Sequence, residues 1–126
     1  MLQSIRIAPS NSMIAIMDRV AKDVDIPVDV PEFQAGRRIW RTPTCLVVGT
    51  LYEADGKTLV SFSDEEPSAT VGPLLFDGIQ TVPTRQLAVC ELATPLLFVD
   101  VPAAQTRVRV WTNDRSEPDQ IQIVVG

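Results

Sequence analysis

The chain has 126 residues, 45% apolar and 21% charged, with 16 acidic against 11 basic side chains, no histidine and a net charge of −5. That length suits one hydrophobic core, and no uncharged apolar run approaches the roughly 18 residues of a membrane span, so a single soluble domain over residues 1–126 is expected, with no membrane partner. The negative balance disfavours direct nucleic-acid binding and favours a basic protein partner.

Residues 1–12 hold a lone Arg6 and no apolar run ending in a small-residue cleavage pattern, so no secretory signal is read and a cytoplasmic location is expected. Leu2 to Ala8 is predicted as a strand. Met13 to Val24 reads two ways. Met13, Met17, Val20 and Val24 have helical spacing with Ser10 or Ser12 as cap, whereas Met13 to Met17 also suits a short apolar strand followed by an irregular segment, the preferred reading. Pro27 and Pro31, with Asp25, Val28, Asp29 and Val30 about them, describe an extended connector.

Ala54-Asp55-Gly56-Lys57 has the composition of a two-residue type I′ turn, which predicts a hairpin with Leu51 opposite Val60 and Gly49 opposite Phe62. Cys45, Val47, Leu51, Val60 and Phe62 then share the core face, with Thr50 and Ser61 outward. Val71 to Phe76, Arg85 to Leu92 and Leu96 to Val101 are further strand candidates, the last two set off by Pro83, Pro95 and Pro102. Thr106 to Thr112 and Gln120 to Val125 alternate strictly across the turn-rich residues 113–119. Val108 and Val110 oppose Arg107, Arg109 and Trp111 in parity, and Ile121, Ile123 and Val125 oppose Gln120, Gln122 and Val124, which predicts a hairpin with one wet face. The final strand is a candidate sheet edge. The pattern predicts an all-β fold, an antiparallel β-sandwich of about seven to eight strands, with a small barrel as the alternative.

Without histidine, Ser-His-Asp and Cys-His catalysis and histidine-ligated zinc are excluded, and no nucleotide-binding glycine motif or nucleophile elbow is present. No cofactor is expected. Cys45 and Cys90 are read as buried free thiols. Asp23, Asp25 and Asp29 in the connector, with Asp64, Glu65 and Glu66 after the Phe62 strand, are candidate oxygen ligands for calcium at one end of the sandwich. A carboxylate pair for glycosidase-like chemistry draws on the same residues, and the plainer account is a set of solvated loops. Two arginine–tryptophan groups remain: Arg37, Arg38 and Arg41 about Trp40, and Arg107 and Arg109 beside Trp111. Either indole suits core packing or an interface. The face of Arg107, Arg109 and Trp111, with Gln120 and Gln122 beside it, is the better candidate for binding another protein or a second copy of this chain.

Ile5-Arg6-Ile7 leading through Ser10-Asn11-Ser12 to Ile16-Met17-Asp18, Gly36 and Trp40 before a strand, and Phe98-Val99-Asp100-Val101-Pro102 before Arg107-Val108-Arg109-Val110-Trp111-Thr112 form one ordered layout. This layout resembles the bacterial competence protein J family. The resemblance implies a β-sandwich that inhibits a DNA-entry nuclease, and it supplies no contact residues. The leading expectation is therefore a non-catalytic protein-binding or inhibitory module, ahead of a calcium-binding sandwich and of a carboxylate enzyme.

Overall fold

The computed structural model describes residues 2–27 and 39–126. Ten strands follow in chain order: β1 (Leu2–Ile7), β2 (Met13–Asp18), β3 (Ile39–Thr42), β4 (Cys45–Gly49), β5 (Thr58–Ser63), β6 (Leu74–Thr81), β7 (Gln86–Glu91), β8 (Thr94–Asp100), β9 (Gln105–Thr112) and β10 (Gln120–Val125). They form two five-stranded sheets, sheet I in the order β1-β5-β10-β9-β6 and sheet II in the order β3-β4-β2-β7-β8. Neighbours run antiparallel except β5 and β10, which are parallel. The sheets do not close into a barrel; the fold is an all-β sandwich.

The core lies between the sheets. Val60, Phe62, Val108, Val110, Ile121, Ile123 and Val125 from sheet I meet Ile14, Ile16, Leu46, Val48, Leu87 and Val89 from sheet II, all buried. β-branched side chains dominate this set, as suits a pleated surface packed on one face. The hairpin of β9 and β10 has the register expected from its alternation, with Ile123 opposite Val110 and Trp111 opposite Gln122. Met13 to Asp18 is a strand and the chain then turns irregular. Asp18 anchors that turn. Buried among the strands, its carboxylate accepts hydrogen bonds from the backbone N–H groups of Val20, Ala21 and Thr84 and from the Thr84 hydroxyl. Burial raises its pKa, and these four bonds outweigh burial and hold it below the ordinary value.

Several expectations need correction. β4 and β5 do not pair as a hairpin, because β4 belongs to sheet II and β5 to sheet I. The chain crosses between layers through a 3-10 turn at Glu53–Asp55, after which Gly56 takes a φ of +136° that side-chain-bearing residues rarely adopt. An Asp-Gly turn meets the local demand for positive φ whether the next strand returns beside the first or enters the facing sheet. Facing loops hold this crossing in place: Thr50 N–H donates to Ser12 C=O, and Leu51 N–H to Pro118 C=O. Thr50 is therefore buried rather than outward, and Leu51 is half-buried.

The parity of β4 is also reversed. Leu46 and Val48 enter the main core, while Cys45 and Val47 turn to the other side of sheet II beside Trp40. Every residue of β4 is buried, so no polar contrast marks its inner face. Lastly, β10 is interior to sheet I, and the strand count exceeds seven to eight. β3 is too short to show alternation, yet pairs with β4 from Ile39 to Thr42, and β6 runs over Leu74–Thr81 rather than residues 71–76.

Candidate functional site on the outer face of sheet I

The outward parity of β9 places Arg107, Arg109 and Trp111 in a row, with Gln122 of β10 opposite Trp111. Both arginines are engaged within the chain. Arg107 donates through Nε and Nη2 to the two carboxylate oxygens of Asp77 on β6, at 2.9 and 2.7 Å. Arg109 donates through Nη1 and Nη2 to the two oxygens of Glu66, at 3.2 and 2.6 Å, and its guanidinium carbon lies 5.5 Å from the centroid of the Trp111 ring. The hydrogen bonds from Arg109 and Arg107 hold Glu66 and Asp77, respectively, below the ordinary carboxylate range, and Asp77 in turn raises Arg107.

Glu66 belongs to residues 64–73, a strap laid over this face after β5. Gln122 secures it from below, its Nε2 donating to Ala69 C=O and its Oε1 accepting from Val71 N–H. Gly72 closes the far end: a Cβ there would sit 2.2 Å from the Thr112 carbonyl oxygen, so only glycine allows the approach. Because Val124 shares the outward parity of Gln122 yet is buried, this face is covered rather than wet at its middle. The Arg109 side chain is only 11% exposed and its Nε has no partner, whereas Glu66 is 75% exposed. Leu74 and Ile79, across from Trp111 and Arg107 on β6, remain exposed. Gln120 is exposed at the start of β10, its backbone N–H donating to Asn113 Oδ1.

The structure thus brings Arg107, Arg109, Trp111 and Gln122 together and adds Asp77, Glu66 and the strap, which the sequence reading did not attach to them. Glu66, read as a candidate metal ligand, is the counter-ion of Arg109. Its neighbour Glu65 has its backbone N–H on Ser63 Oγ. Asp23 and Asp25 lie elsewhere, on the segment that leaves β2; Asp25 is fixed by its N–H on Thr44 Oγ1 and by the Thr42 hydroxyl on its C=O. Asp29, Arg37 and Arg38 lie outside the described residues. Among the described residues no three carboxylates or cysteines gather as a metal site.

Sheet II presents a different outer face. Trp40, Cys45 and Val47 are buried there with Met13, Ala15, Met17 and Val24 packed on them. Arg41 does not frame Trp40, since it reaches across to Gln80 and the Ile79 carbonyl of β6. Cys45 and Cys90 are buried and unbridged. Burial pushes the Cys45 thiol up to about 12, with further rises from nearby Cys90 and Asp25, and burial pushes Cys90 up to about 11. Neither is a reactive thiolate at neutral pH.

Two solved structures share this fold. One is ComJ of Bacillus subtilis, described as an inhibitor of the DNA-degrading activity of NucA; it is 13% identical, with a TM-score of 0.64 over 99% of this chain and 96% of ComJ. The other is the crocagin biosynthetic gene J product, 15% identical with a TM-score of 0.63 over the same shares. No protein-family model and no curated protein matches the chain by sequence. The likeness to ComJ extends over nearly the whole chain, so the layout that resembled the competence protein J family corresponds to strands of a shared architecture: Ile5-Arg6-Ile7 in β1, Ile16-Met17-Asp18 in β2 and Arg107 to Thr112 in β9.

Proposed function

We propose that this protein is a non-catalytic, cytoplasmic protein-binding module that inhibits its partner, an inhibitor in the manner described for ComJ. The observation that carries this reading is the fold shared with that inhibitor over 99% of the chain. The partner or a second copy docks on the outer face of sheet I, where the half-buried Trp111 stands beside exposed Leu74 and, farther along the row, exposed Ile79 stands beside Arg107. Arg107 and Arg109 in this row are neutralised within the chain, so a partner covers it without burying an unpaired charge.

Affinity capture with the tagged chain, followed by assay of the captured protein's activity with and without it, tests the inhibitory reading. Capture with reduced partner activity supports it; capture with activity unchanged overturns the inhibitory part. The double substitution Trp111→Ser, Arg109→Glu tests the surface. Lost association with an unchanged circular dichroism spectrum supports it, and unchanged association removes it. If the double variant unfolds, Leu74→Lys on the exposed rim decides the matter by the same association measurement.

A further inference from the structure

Each sheet ends in two edge strands, β1 and β6 in sheet I and β3 and β8 in sheet II. An edge carries a row of backbone N–H and C=O groups that another strand can pair with, and natural folds block most such rows. Three of the four are blocked here. On β6 the Ile79 C=O accepts from Arg41 Nη2, the Thr81 N–H donates to Pro43 C=O, and a bulge lies between Leu74 and Phe76. β8 has Pro95 near its start, and its Phe98 C=O accepts from Gln3 Nε2. β3 offers only four residues, the last of which, Thr42, donates its hydroxyl to the Asp25 C=O. β1 has none of these devices. It pairs with β5 through all six of its residues without a register shift and contains no proline. Among the described residues, Ser4, Ile5, Arg6 and Ile7 make no hydrogen bond outside that ladder, and Arg6 makes no ion pair.

The core is unfinished along the same edge. Val60 and Thr58 of β5 are fully buried, whereas their register partners Ile5 and Ile7 on β1 are only half-buried. On the outer side Leu2 is 69% exposed, and Ser4, Arg6 and Ala8 are exposed with it. The side-chain order of β1 fits a second β1. A two-fold axis perpendicular to sheet I lays the strands antiparallel and keeps the inner rows on one side, so inner residues meet inner and outer meet outer. With Ile5 opposite Ile5 of the second copy, Gln3 falls opposite Ile7, Ser4 opposite Arg6, and Leu2 opposite Ala8. Both half-buried isoleucines gain cover and no like charges meet. Sliding the pair one way sets Arg6 against Arg6, and sliding it the other way leaves Ile7 beyond the paired strand. We propose that two copies of this chain associate through β1, joining their sheets I into one continuous sheet centred on Ile5. This edge lies across sheet I from β6, three strands removed from the Trp111 row of β9, and is independent of the docking proposed there.

Sedimentation velocity of the whole chain from micromolar to millimolar concentration tests it. Expected is a reversible monomer–dimer equilibrium. Ser4→Arg, on the exposed outer row, sets two guanidinium groups opposite one another on each side of the axis and should weaken dimerisation about tenfold. Adding Arg6→Glu to that variant puts opposite charges face to face and should restore it. Ile5→Cys gives a second readout that needs no loss of association, because cross-strand neighbours lie within the Cα separation a disulfide spans. Mild oxidation should yield a covalent dimer, with Cys45 and Cys90 silent because both are buried. A chain that stays monomeric at millimolar concentration overturns the proposal, as does a dimer that Ser4→Arg leaves intact or an Ile5→Cys chain that does not cross-link. A dimer lost in Trp111→Ser, Arg109→Glu but kept in Ser4→Arg assigns self-association to the other face and also overturns it. None of these outcomes bears on inhibition of a partner, which the capture assay reads.

Discussion

Phe62→Ala is the sharpest test of how the core is assembled. Phe62 is 1% exposed on β5, with Gln3 of β1 and Ile123 of β10 beside it in the ladder. Full burial of a side chain of this kind contributes about 1.5–3 kcal/mol by transfer from water. Truncation forfeits most of that and leaves a void that β5, held by backbone hydrogen bonds to β1 and β10, cannot collapse to fill. Together these cost about 3–5 kcal/mol, a large part of the roughly 5–15 kcal/mol available to a domain. Urea unfolding followed by tryptophan fluorescence should show the midpoint falling by about 1 M or more, given a slope of about 1–3 kcal/mol/M. Phe98→Ala is the control. That ring is 42% exposed beneath the Arg19 guanidinium, 3.9 Å from its centroid, so its loss should cost about 1 kcal/mol or less. A Phe62→Ala loss below about 1 kcal/mol with an unchanged slope would refute the placement of β5 against sheet II.

Other expectations follow from single contacts. Gly72→Ala should destabilise the chain by about 1–3 kcal/mol, because the new Cβ meets a backbone carbonyl; a neutral result in thermal melts would show that the strap is not seated on β9. Thiol titration of the denatured, non-reduced protein should recover both Cys45 and Cys90, and recovery of neither would establish a bridge. Since the folded pKa of Cys45 is about 12 against an ordinary 9.0, its contribution to stability is complete below pH 9.0 and is lost as pH rises toward 12. Urea midpoints should therefore fall across that window, and the fall should flatten in Cys45→Ala, Cys90→Ala. Asp18 has the opposite sign. Its depressed folded pKa confers stability that is present above the unfolded value of 3.8 and is lost as pH falls through the folded value, so wild-type urea midpoints should fall as pH is lowered through that window and the fall should be shallower in Asp18→Asn.

Where polar and apolar residues alternate along a strand, its placement was legible in the sequence. Arg107 to Thr112 and Ile121 to Val125 alternate cleanly, and both parity and pairing follow. β4 is the counter-case. Cys45-Leu46-Val47-Val48 is apolar throughout and every one of these residues is buried, and period two vanishes when both faces of a strand are buried. The Asp55-Gly56 signal marked the positive φ of Gly56, but Asp55 closes a 3-10 turn rather than taking the first positive φ of a type I′ turn, and the signal carried no information about which sheet the following strand joins. The Trp111 row was visible as a row, but its counter-ions were not. Asp77 sits across a strand pair and Glu66 on a strap 43 residues away from Arg109, and neither distance leaves a local pattern. The run from Met13 to Met17 was legible as apolar, but not that Ile14 and Ile16 enter the main core while Met13, Ala15 and Met17 pack beside Trp40.

The position of β10 has a consequence for how the protein is made. Residues 120–125 lie between β5 and β9, parallel to the first and antiparallel to the second. Until β10 docks, β5 and β9 each present an open row of N–H and C=O groups on the side it occupies. Sheet II, whose strands end at Asp100, needs none of these residues. A chain in which β10 has not docked therefore leaves sheet I split with an apolar face uncovered, the condition in which wrong pairing between chains competes with folding. A substitution that slows docking of β10, such as Ile123→Ser, should raise aggregation during refolding more than an equally destabilising one on the edge strand β1.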